Sequence, residues 1–345
     1  MGRERVAVMV SFSKTPVGIK DVAKAAGVSA ATVSRVLGHG PVSADLKEKG
    51  EAAIRATGYR PNLSARRLRS QHSRTIGLIV SDIRNPFFTA LSRAVEDAAY
   101  RAEMRVVLCN TDENPDREAM YLRLMQEERI TGLIYAPTRT SAKALARMSF
   151  EFPVVLVDRT GPSGIHDAVV IDNHGAAAAL VDHLADNGHG RILGLFGNTS
   201  STAIERHDGY RSAMEARGLT VDARFVAPND RAAQIALGER LGDADRPDAV
   251  VVSNGLMLLG AYRALRAAGL EAPRDIALAG FDNDTWTELV GPGLTVIEQP
   301  VTDIGRTAMD LLFERLRLPD MAPRKVVLAG RLVARGSSGR AAGNE

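Results

Sequence analysis

Polar side chains that could bind a small molecule follow several of the strands predicted between residues 75 and 300. Asp158 and Arg159 end one strand, Asn254 and Asp282 end two others, and Gln299 lies in the last crossover. Carboxylates and planar guanidinium or amide groups hold their hydrogen-bonding atoms in fixed directions, which suits a ligand with vicinal hydroxyls. This pattern predicts a binding site for a polyhydroxylated molecule.

Aromatic side chains lie where the first strand of the same region ends. Asn85, Phe87 and Phe88 follow that strand, and Arg206 opens a later helix. An aromatic face complements the apolar face of a sugar ring, while polar groups fix the orientation of the ring. Together the nine side chains predict a site for a monosaccharide or a close derivative. Trp286 is expected either in the wall of this pocket or in an interface.

Patterns that would indicate catalysis are absent from the sequence. No Gly-rich dinucleotide fingerprint follows the first strand, and no phosphate-binding loop ends in Gly-Lys-Ser/Thr. The seven histidines include no His-x-x-x-His pair on a helix, and no Gly-x-Ser-x-Gly elbow occurs. The single cysteine, Cys109, excludes an intrachain disulfide and a multi-cysteine zinc site, and we expect it to be a buried strand thiol. We therefore predict no enzymatic activity, no catalytic residues, no metal and no cofactor.

Alternating strands and helices must position these side chains. Apolar strands are predicted over Ile76–Ser81, Arg105–Asn110, Gly132–Ala136, Val154–Asp158, Ala168–Ile171, Ile192–Gly197, Ala249–Ser253 and Ile276–Phe281. Helices are predicted over Pro86–Ala102, Asp116–Glu128, His174–Asn187, Ala203–Arg217 and Leu256–Ala268. Continuous apolar strands separated by helices are typical of parallel sheets covered on both faces, and two halves of similar length predict two doubly wound lobes. Ligands bind beyond the carboxyl ends of such strands, an edge that includes Asn110–Asp112.

Residues 19–37 read as two short amphipathic helices with Gly27 between them. Gly27 permits the positive φ or the close approach that two steeply crossing helices need. Ala23 is small where the second helix packs over the first, and Ser29 can cap the second helix. The arrangement predicts a helix-turn-helix, whose second helix enters the major groove of DNA.

A third helix is predicted from about Ser43 to Thr57, with Gly50 inside it. An interior glycine costs about 1 kcal/mol relative to alanine, so this helix is expected to be weaker than usual. A turn signal follows at residues 58–62, and then a short basic run at 63–70. Alone in water this run would be a marginal helix, because helix nucleation is costly.

The charge of the chain is divided unevenly along its length. Residues 1–74 carry 14 Lys and Arg against 5 Asp and Glu, a net +9, whereas the remainder carries 30 against 36, a net −6. A basic head on a mildly acidic body indicates that the head meets a polyanion. No run approaches the roughly 20 apolar residues of a membrane span, and the patch at residues 6–10 is too short for a signal-peptide core. We therefore expect a protein of the cell interior.

Taken together, the motifs resemble those of the LacI/GalR (lactose-repressor) family of bacterial transcription regulators. The resemblance covers about residues 18–337 and rests on the run from Ile19 to Leu37, on Gly58-Tyr59-Arg60-Pro61-Asn62 with Ala65 and Leu68, on Asn85-Pro86-Phe87-Phe88, Asp172-Asn173, Gly188-His189, Arg206 with Gly209-Tyr210, Gly280-Phe281-Asp282, and Leu294-Thr295-Val296 with Gln299-Pro300. It implies an N-terminal all-α helix-turn-helix head and an α/β body of two doubly wound parallel-sheet lobes. That body resembles the periplasmic monosaccharide-binding proteins, especially the ribose-type ones.

The resemblance implies four segments. They are a helix-turn-helix DNA-binding domain at 18–60, a hinge helix and linker at 61–75, an N-terminal lobe of the effector domain at 76–170 and 298–320, and a C-terminal lobe at 171–297 and 321–337.

The resemblance also implies which residues of the head contact DNA. Ala30 and Ala31 would offer apolar contact to base edges, and Arg35 would bind guanine through two hydrogen bonds. Thr32 and Ser34 would contact phosphates, which position the head without reading sequence. The expected DNA-contacting residues are Ser29, Ala30, Ala31, Thr32, Ser34, Arg35, Asn62, Ala65 and Leu68.

The segment 63–69 resembles the hinge helix of the family, two copies of which lie in the minor groove. Leu68 would then be the wedge inserted at a central base step, although it could instead pack on the body. Two positions depart from the family pattern. Gly38 stands where an asparagine is usual, and Gly255 stands where an aspartate usually follows Asn254, which puts one backbone contact and one ligand contact in doubt.

The implied function is that of a cytoplasmic, nucleoid-associated homodimer that binds double-stranded operator DNA and no membrane. Members of the family are most often repressors, so we expect this protein to repress carbohydrate-utilisation genes. A sugar effector between the lobes would change the separation or pairing of the hinges and so bias the DNA-competent state. Whether the sugar releases the protein from DNA or tightens its grip stays open. The short polar C-terminus has no heptads, which favours a dimer over a coiled-coil tetramer.

Alternatives remain at the level of residues and of the whole protein. Asp158 and Arg159 could form only a loop ion pair, and Phe87 could be a core residue. The Asp158–Arg159 pair argues against a purine effector, since the purine-responsive member of the family has an aromatic residue after this aspartate. A transport-type sugar-binding protein would need a signal peptide and leaves residues 1–74 unexplained. A DNA-binding enzyme or an architectural protein is the other alternative class.

Overall fold

The computed structural model describes residues 17–37, 40–59, 73–161 and 164–339. The chain divides into two compact units, a head over residues 1–71 and a body over residues 72–345. Within the described residues the head is helical and the body contains two parallel-sheet lobes, so the predicted fold class is confirmed.

The described part of the head contains α1 (Ile19–Ala26), α2 (Ala30–Leu37) and α3 (Ala44–Thr57). Gly27 ends α1 with a φ of 63°, a left-handed conformation that strains residues with a side chain. Ser29 Oγ accepts a hydrogen bond from the Thr32 backbone N–H at 3.1 Å and so caps α2. Both features agree with the helix-turn-helix prediction.

The core of the head brings the three helices close together. Val22, Ala23 and Val33 are buried in one cluster. In α3, a Cβ at Gly50 would lie 3.0 Å from Cγ2 of Val36, which belongs to α2. The interior glycine therefore lets α3 approach α2 closely, and this contact offsets part of the helix propensity that the glycine loses.

The body alternates strands and helices. Its strands are β1 (Thr75–Val80), β2 (Arg105–Asn110), β3 (Gly132–Tyr135), β4 (Val154–Val157), β5 (Asp167–Ile171), β6 (Ile192–Gly197), β7 (Asp222–Val226), β8 (Ala249–Val252), β9 (Ala277–Phe281), β10 (Thr295–Glu298), β11 (Lys325–Leu328) and β12 (Arg331–Val333). Its α-helices are α4 (Pro86–Arg101), α5 (Pro115–Glu127), α6 (Arg139–Ala144), α7 (Asn173–Asp186), α8 (Ser201–Ala216), α9 (Asp230–Leu241), α10 (Gly255–Ala267), α11 (Thr285–Leu289) and α12 (Val301–Arg317).

The described strands form two six-stranded sheets. The first has the order β11-β5-β4-β3-β1-β2 and the second β12-β10-β9-β8-β6-β7. Neighbouring strands pair in parallel except β10 and β12, which pair antiparallel. Strand order reverses between β1 and β3 and again between β6 and β8. Such reversals leave a crevice beyond the carboxyl ends of the strands, where ligands bind in this class of fold.

The chain passes between the two sheets three times. Of the predicted boundaries between the lobes, one is wrong. The sequence-based boundaries at 170/171 and 297/298 fall within one residue of the ends of β5 and β10. The assignment of 321–337 to the C-terminal lobe fails at β11, which pairs with β5 in the first sheet. β11 is an edge strand with alternating exposed residues, so its sequence carries no signal that distinguishes one sheet from the other.

A buried carboxylate fixes the segment that follows β3. Glu118, in α5, is fully buried and accepts hydrogen bonds from Tyr135 Oη at 2.5 Å and from the Thr138 backbone N–H at 2.8 Å. The Thr138 hydroxyl and the Ser141 hydroxyl donate to its other oxygen. Burial, with the charge of Glu118, raises the pKa of Tyr135, so this phenol stays protonated as a donor. The network fixes the segment 136–141, whose Pro137 carbonyl accepts a hydrogen bond from Arg159, a residue of the cleft described below.

Two further expectations from the sequence concern membrane-spanning helices and the single cysteine. Across the described residues, no helix is long and apolar enough to cross a membrane. Cys109 lies on β2 and is half-buried rather than buried, because β2 is an edge strand of the first sheet. Burial raises the pKa of its thiol, which disfavours the reactive thiolate.

Replacing Glu118 by alanine should destabilise the body, because it leaves several buried donors without an acceptor. We expect Glu118→Ala to lower the free energy of unfolding by about 3 kcal/mol, measured by urea denaturation of the full chain. Glu127→Ala, at the exposed end of the same helix, is the matched control and should change stability by less than about 0.5 kcal/mol. Equal unfolding free energies for the two variants would contradict this role of the network.

Candidate ligand cleft and nucleic-acid interface

One cleft in the body brings together all nine side chains that the sequence singles out. It opens between the carboxyl ends of the strands of both sheets. The residues contributed by the first lobe and the crossover are Asn85, Phe87, Phe88, Asp158, Arg159 and Gln299, and the second lobe contributes Arg206, Asn254 and Asp282. The roles of these residues in ligand binding stay predictions.

Arg159 is the central cation of the first lobe. Its side chain is 6% exposed, and its Nε donates to Asp158 Oδ2 at 3.2 Å. Its Nη1 also donates to the carbonyl oxygen of Pro137, in the segment held by the Glu118 network. Burial raises the pKa of Asp158 even though Arg159 and Arg206 oppose this effect. Asp158 and Arg159 thus form an ion pair, and both side chains also line the cleft.

Glu113 is a cleft residue that sequence reasoning missed. It lines the cleft and binds Arg159 through two hydrogen bonds, Nη1 to Oε2 at 3.0 Å and Nη2 to Oε1 at 2.5 Å. The predicted ligand-binding edge stopped at Asp112, one residue short of it. The available signal was its position just after β2, at the carboxyl end of a parallel strand.

Arg206 is the buried cation of the second lobe. Its Nε donates to Asn173 Oδ1 at 2.8 Å and its Nη1 to the Ser253 carbonyl oxygen at 2.5 Å. The guanidinium carbon lies 3.9 Å above the centre of the Phe281 ring, a cation–π contact. Burial lowers the pKa of Arg206, while Asp282 and Asp158 act in the opposite sense.

Asp282 is held in place from two directions. Its Oδ1 accepts from Gln299 Nε2 at 2.6 Å, and its Oδ2 accepts from the Gly255 backbone N–H at 2.8 Å. Asp282 has a φ of 77° and Asp158 a φ of 64°, so both carboxylates follow their strands in the left-handed conformation. Such strained positions cluster at functional sites.

Gly255, which stands where the family usually has an aspartate, lies next to another carboxylate, that of Asp284. A Cβ at position 255 would lie 2.8 Å from Asp284 Oδ2, so this carboxylate fills the space beside the glycine. Burial, together with the nearby Asp282, raises the pKa of Asp284 to about 6. The Gly255 N–H donates to Asp282, and the Asp284 carboxylate lies beside the glycine, but neither residue 255 nor residue 284 lines the cleft.

Two asparagines and two aromatic rings complete the lining. Asn85 Oδ1 accepts from the Phe87 N–H at 3.0 Å and caps α4, and Asn254 Oδ1 accepts from the Met257 N–H at 2.8 Å and caps α10. The caps orient both amide groups at the cleft. The Phe87 and Phe88 rings meet edge to face at 5.0 Å and are also part of the hydrophobic core, so Phe87 is both a core and a cleft residue. 

Trp286 packs against the hydrophobic core of the second lobe, with its ring 6.3 Å from that of Tyr262. It does not line the cleft.

The predicted DNA-contacting residues fall into three groups. Ser29, Ala31 and Arg35 are exposed on the described head, and Thr32 and Ser34 are half-buried. Ala30 is half-buried against the core of the head, which leaves it less surface for a base edge than the exposed Ala31. Asn62, Ala65 and Leu68, like Gly38, lie outside the described residues.

Comparisons with known proteins agree with this architecture. Residues 18–62 match the model of bacterial regulatory proteins of the lacI family, and residues 181–338 match a periplasmic binding protein-like domain. The chain is 32% identical to the ribose operon repressor of Escherichia coli over 327 residues, which span 93% of this chain and 99% of that protein. It is 33% identical to the transcriptional repressor PurR of Aliivibrio salmonicida, over 87% of this chain and 92% of that one.

Solved structures give the same result. The lac repressor dimer bound to operator and an anti-inducer superposes with a TM-score of 0.85 at 26% identity, covering 94% of this chain and all of that one. A LacI family regulator from Enterococcus faecium with bound ribose superposes with a TM-score of 0.68 at 27% identity, over 77% of this chain and 98% of that one. 

The helix-turn-helix head, the two-lobed body and these similarities agree, and the prediction of a regulator rather than an enzyme is confirmed. The chain belongs to the lacI family of DNA-binding bacterial transcription regulators.

Proposed function

We propose that this regulator is a dimeric repressor that senses an unmodified monosaccharide, with D-ribose as the leading candidate. The observation that carries the proposal is the convergence of nine predicted side chains from both lobes on one cleft. The relatives named above include a ribose operon repressor and a regulator with bound ribose, which supports a pentose. As a regulator of operator DNA the protein would act in the cytoplasm, associated with the nucleoid.

The cleft presents polar groups from both lobes, which suits a sugar whose hydroxyl groups point toward both lobes. Asp158 and Arg159 reach the cleft from the first lobe, and Arg206 and Asp282 reach it from the second. Carboxylates accept hydrogen bonds from sugar hydroxyls, and guanidinium groups donate to them in fixed geometry. A sugar bound by both sets would link the two lobes and stabilise their closed arrangement.

The link from sugar to DNA would run through the segments that join the lobes and through the predicted hinge. Gln299 lies in one of the crossings and binds Asp282 directly, so a ligand that moves Asp282 also acts on that crossing. The sugar can shift the DNA-competent state only by its difference in affinity for the two states. The predicted hinge at 61–75 falls mostly outside the described residues.

Two heads in a homodimer would read the two halves of a near-palindromic operator. Residues 1–74 carry a net charge of +9, and Arg35, exposed on α2, is the proposed reader of a guanine. Exposed apolar side chains on the edge strand β2, Val107 and Leu108, with Leu124 on α5, offer a surface for the second copy.

Replacing Arg35 by alanine should weaken binding to the operator more than binding to random DNA. We expect Arg35→Ala to cost about 1–3 kcal/mol on the operator and to relax preference at one base pair per half-site, measured by fluorescence anisotropy. Arg55→Ala, an exposed arginine on α3, is the matched control and should leave base preference unchanged. Equal losses on operator and random DNA would remove Arg35 as a base reader.

Replacing Asp282 by asparagine should weaken sugar binding while leaving the unliganded protein able to bind operator. The asparagine keeps the shape of the side chain but loses the charge that a hydroxyl donor favours, so we expect at least a tenfold weaker affinity for D-ribose by calorimetric titration. Asp303→Asn, at an exposed position on α12, serves as the control. Unchanged ribose affinity in Asp282→Asn would place the sugar elsewhere.

A further inference from the structure

The charge of Arg159, the central cation of the first lobe, is neutralised by carboxylates of the protein itself. Both terminal nitrogens of Arg159 donate to the two carboxylate oxygens of Glu113, at 3.0 and 2.5 Å, and its Nε donates to Asp158. Arg159 is 6% exposed and Glu113 17% exposed, so the pair is largely shielded from water. Two-point pairs of this kind are strong and directional. An incoming anion would have to compete with Glu113 for the same donors.

The backbone holds Glu113 in this position. Asp112 and Glu113 have φ values of 54° and 56°, two consecutive left-handed residues without glycine. The Glu113 N–H donates to the Ser81 carbonyl oxygen at 3.1 Å, and Arg117 binds the Asp112 carboxylate at 2.8 Å. A strained turn that is fixed at both residues indicates that the position of Glu113 matters to the cleft.

The charges around the cleft make it acidic. The lining contains four carboxylates, Asp82, Glu113, Asp158 and Asp282, and two guanidinium groups, Arg159 and Arg206, a net charge of −2 when all are ionised. Arg84, which pairs with Asp82 at 2.9 Å, brings the total only to −1. Arg206 forms no ion pair within the described residues, but it lies in the field of Asp158 and Asp282.

We propose that Glu113 is a specificity-determining residue that restricts the effector to neutral sugars and excludes their phosphorylated or carboxylated forms. This inference rests on the proposed sugar-sensing function and narrows its ligand class. Glu113 withdraws Arg159 from any anion and adds a negative charge to the cleft. These two effects weaken the binding of a sugar hydroxyl little, because a hydroxyl can donate hydrogen bonds to the carboxylates as well as accept them. A phosphate can only be repelled by the charge of the four carboxylates.

Removing the charge of Glu113 should therefore change selectivity rather than only affinity. In the full-length protein we expect D-ribose to bind at least tenfold more tightly than D-ribose 5-phosphate, measured by calorimetry at low and moderate salt. In Glu113→Gln this ratio should fall by about tenfold or more, because Arg159 becomes free to pair with the phosphate. Glu113→Asp, which keeps the charge, should retain most of the wild-type ratio.

Glu314→Gln is the matched control, because Glu314 also pairs with an arginine of the same lobe, Arg324 at 2.8 Å, and does not line the cleft. It should leave the selectivity ratio unchanged. If Glu113 had only a structural role, Glu113→Gln would lower the affinities for D-ribose and D-ribose 5-phosphate by the same factor. An unchanged ratio in Glu113→Gln, or a ratio equally reduced in Glu113→Asp, would overturn the inference.

Inorganic phosphate separates this inference from the proposed function. If the wild type binds neither ribose nor its phosphate, sugar sensing is wrong, but the exclusion of anions is still tested directly. Glu113→Gln should then bind inorganic phosphate about tenfold more tightly than the wild type does, in a salt-dependent manner. No gain in phosphate affinity would overturn the role of Glu113, and a wild type that prefers the sugar phosphate would do the same.

Discussion

The hydrogen bond between Asp282 and Gln299 connects the ligand cleft to the chain that joins the lobes. Asp282 directly follows β9 of the second lobe, and Gln299 lies where the chain passes from β10 to α12 of the first lobe. The chain crosses between the lobes three times, and at this crossing Gln299 itself lines the cleft. A ligand that engages both lobes therefore acts directly on their relative arrangement, which is the requirement for coupling between two sites.

The buried charges of the cleft are satisfied by partners from the protein itself. Arg159 pairs with Glu113 and Asp158, and Arg206 uses neutral oxygen acceptors and the Phe281 ring. Buried charges without partners are costly, so this arrangement stabilises the site. It also leaves carboxylates in excess, and the same excess characterises the body as a whole against its basic head.

Sequence patterns predicted most of the buried strands and the half-solvated edge strand β2, but they missed β10 and the three other edge strands. β1, β3, β4, β8 and β9 are buried along their length, and their continuous apolar runs gave clear predictions. The edge strands β7, β11 and β12 are half-solvated, and the sheet that β11 joins depends on pairing with β5, which is distant in sequence. Strand ends, one helix and one crossover located nine cleft residues. Glu113 lies one residue beyond the predicted edge, and its contact with Arg159 depends on two left-handed residues that no periodicity reveals.

We propose that occupancy of the cleft controls the affinity of the head for operator DNA. Linkage makes the effect reciprocal: ribose must change operator affinity by the same factor by which operator changes ribose affinity. The direct measurement is operator binding by the full chain across a ribose titration, with ribose binding measured in parallel with and without operator. We expect a shift in operator affinity that saturates with ribose, and equal factors in the two directions. Saturable ribose binding with unchanged operator affinity would contradict it.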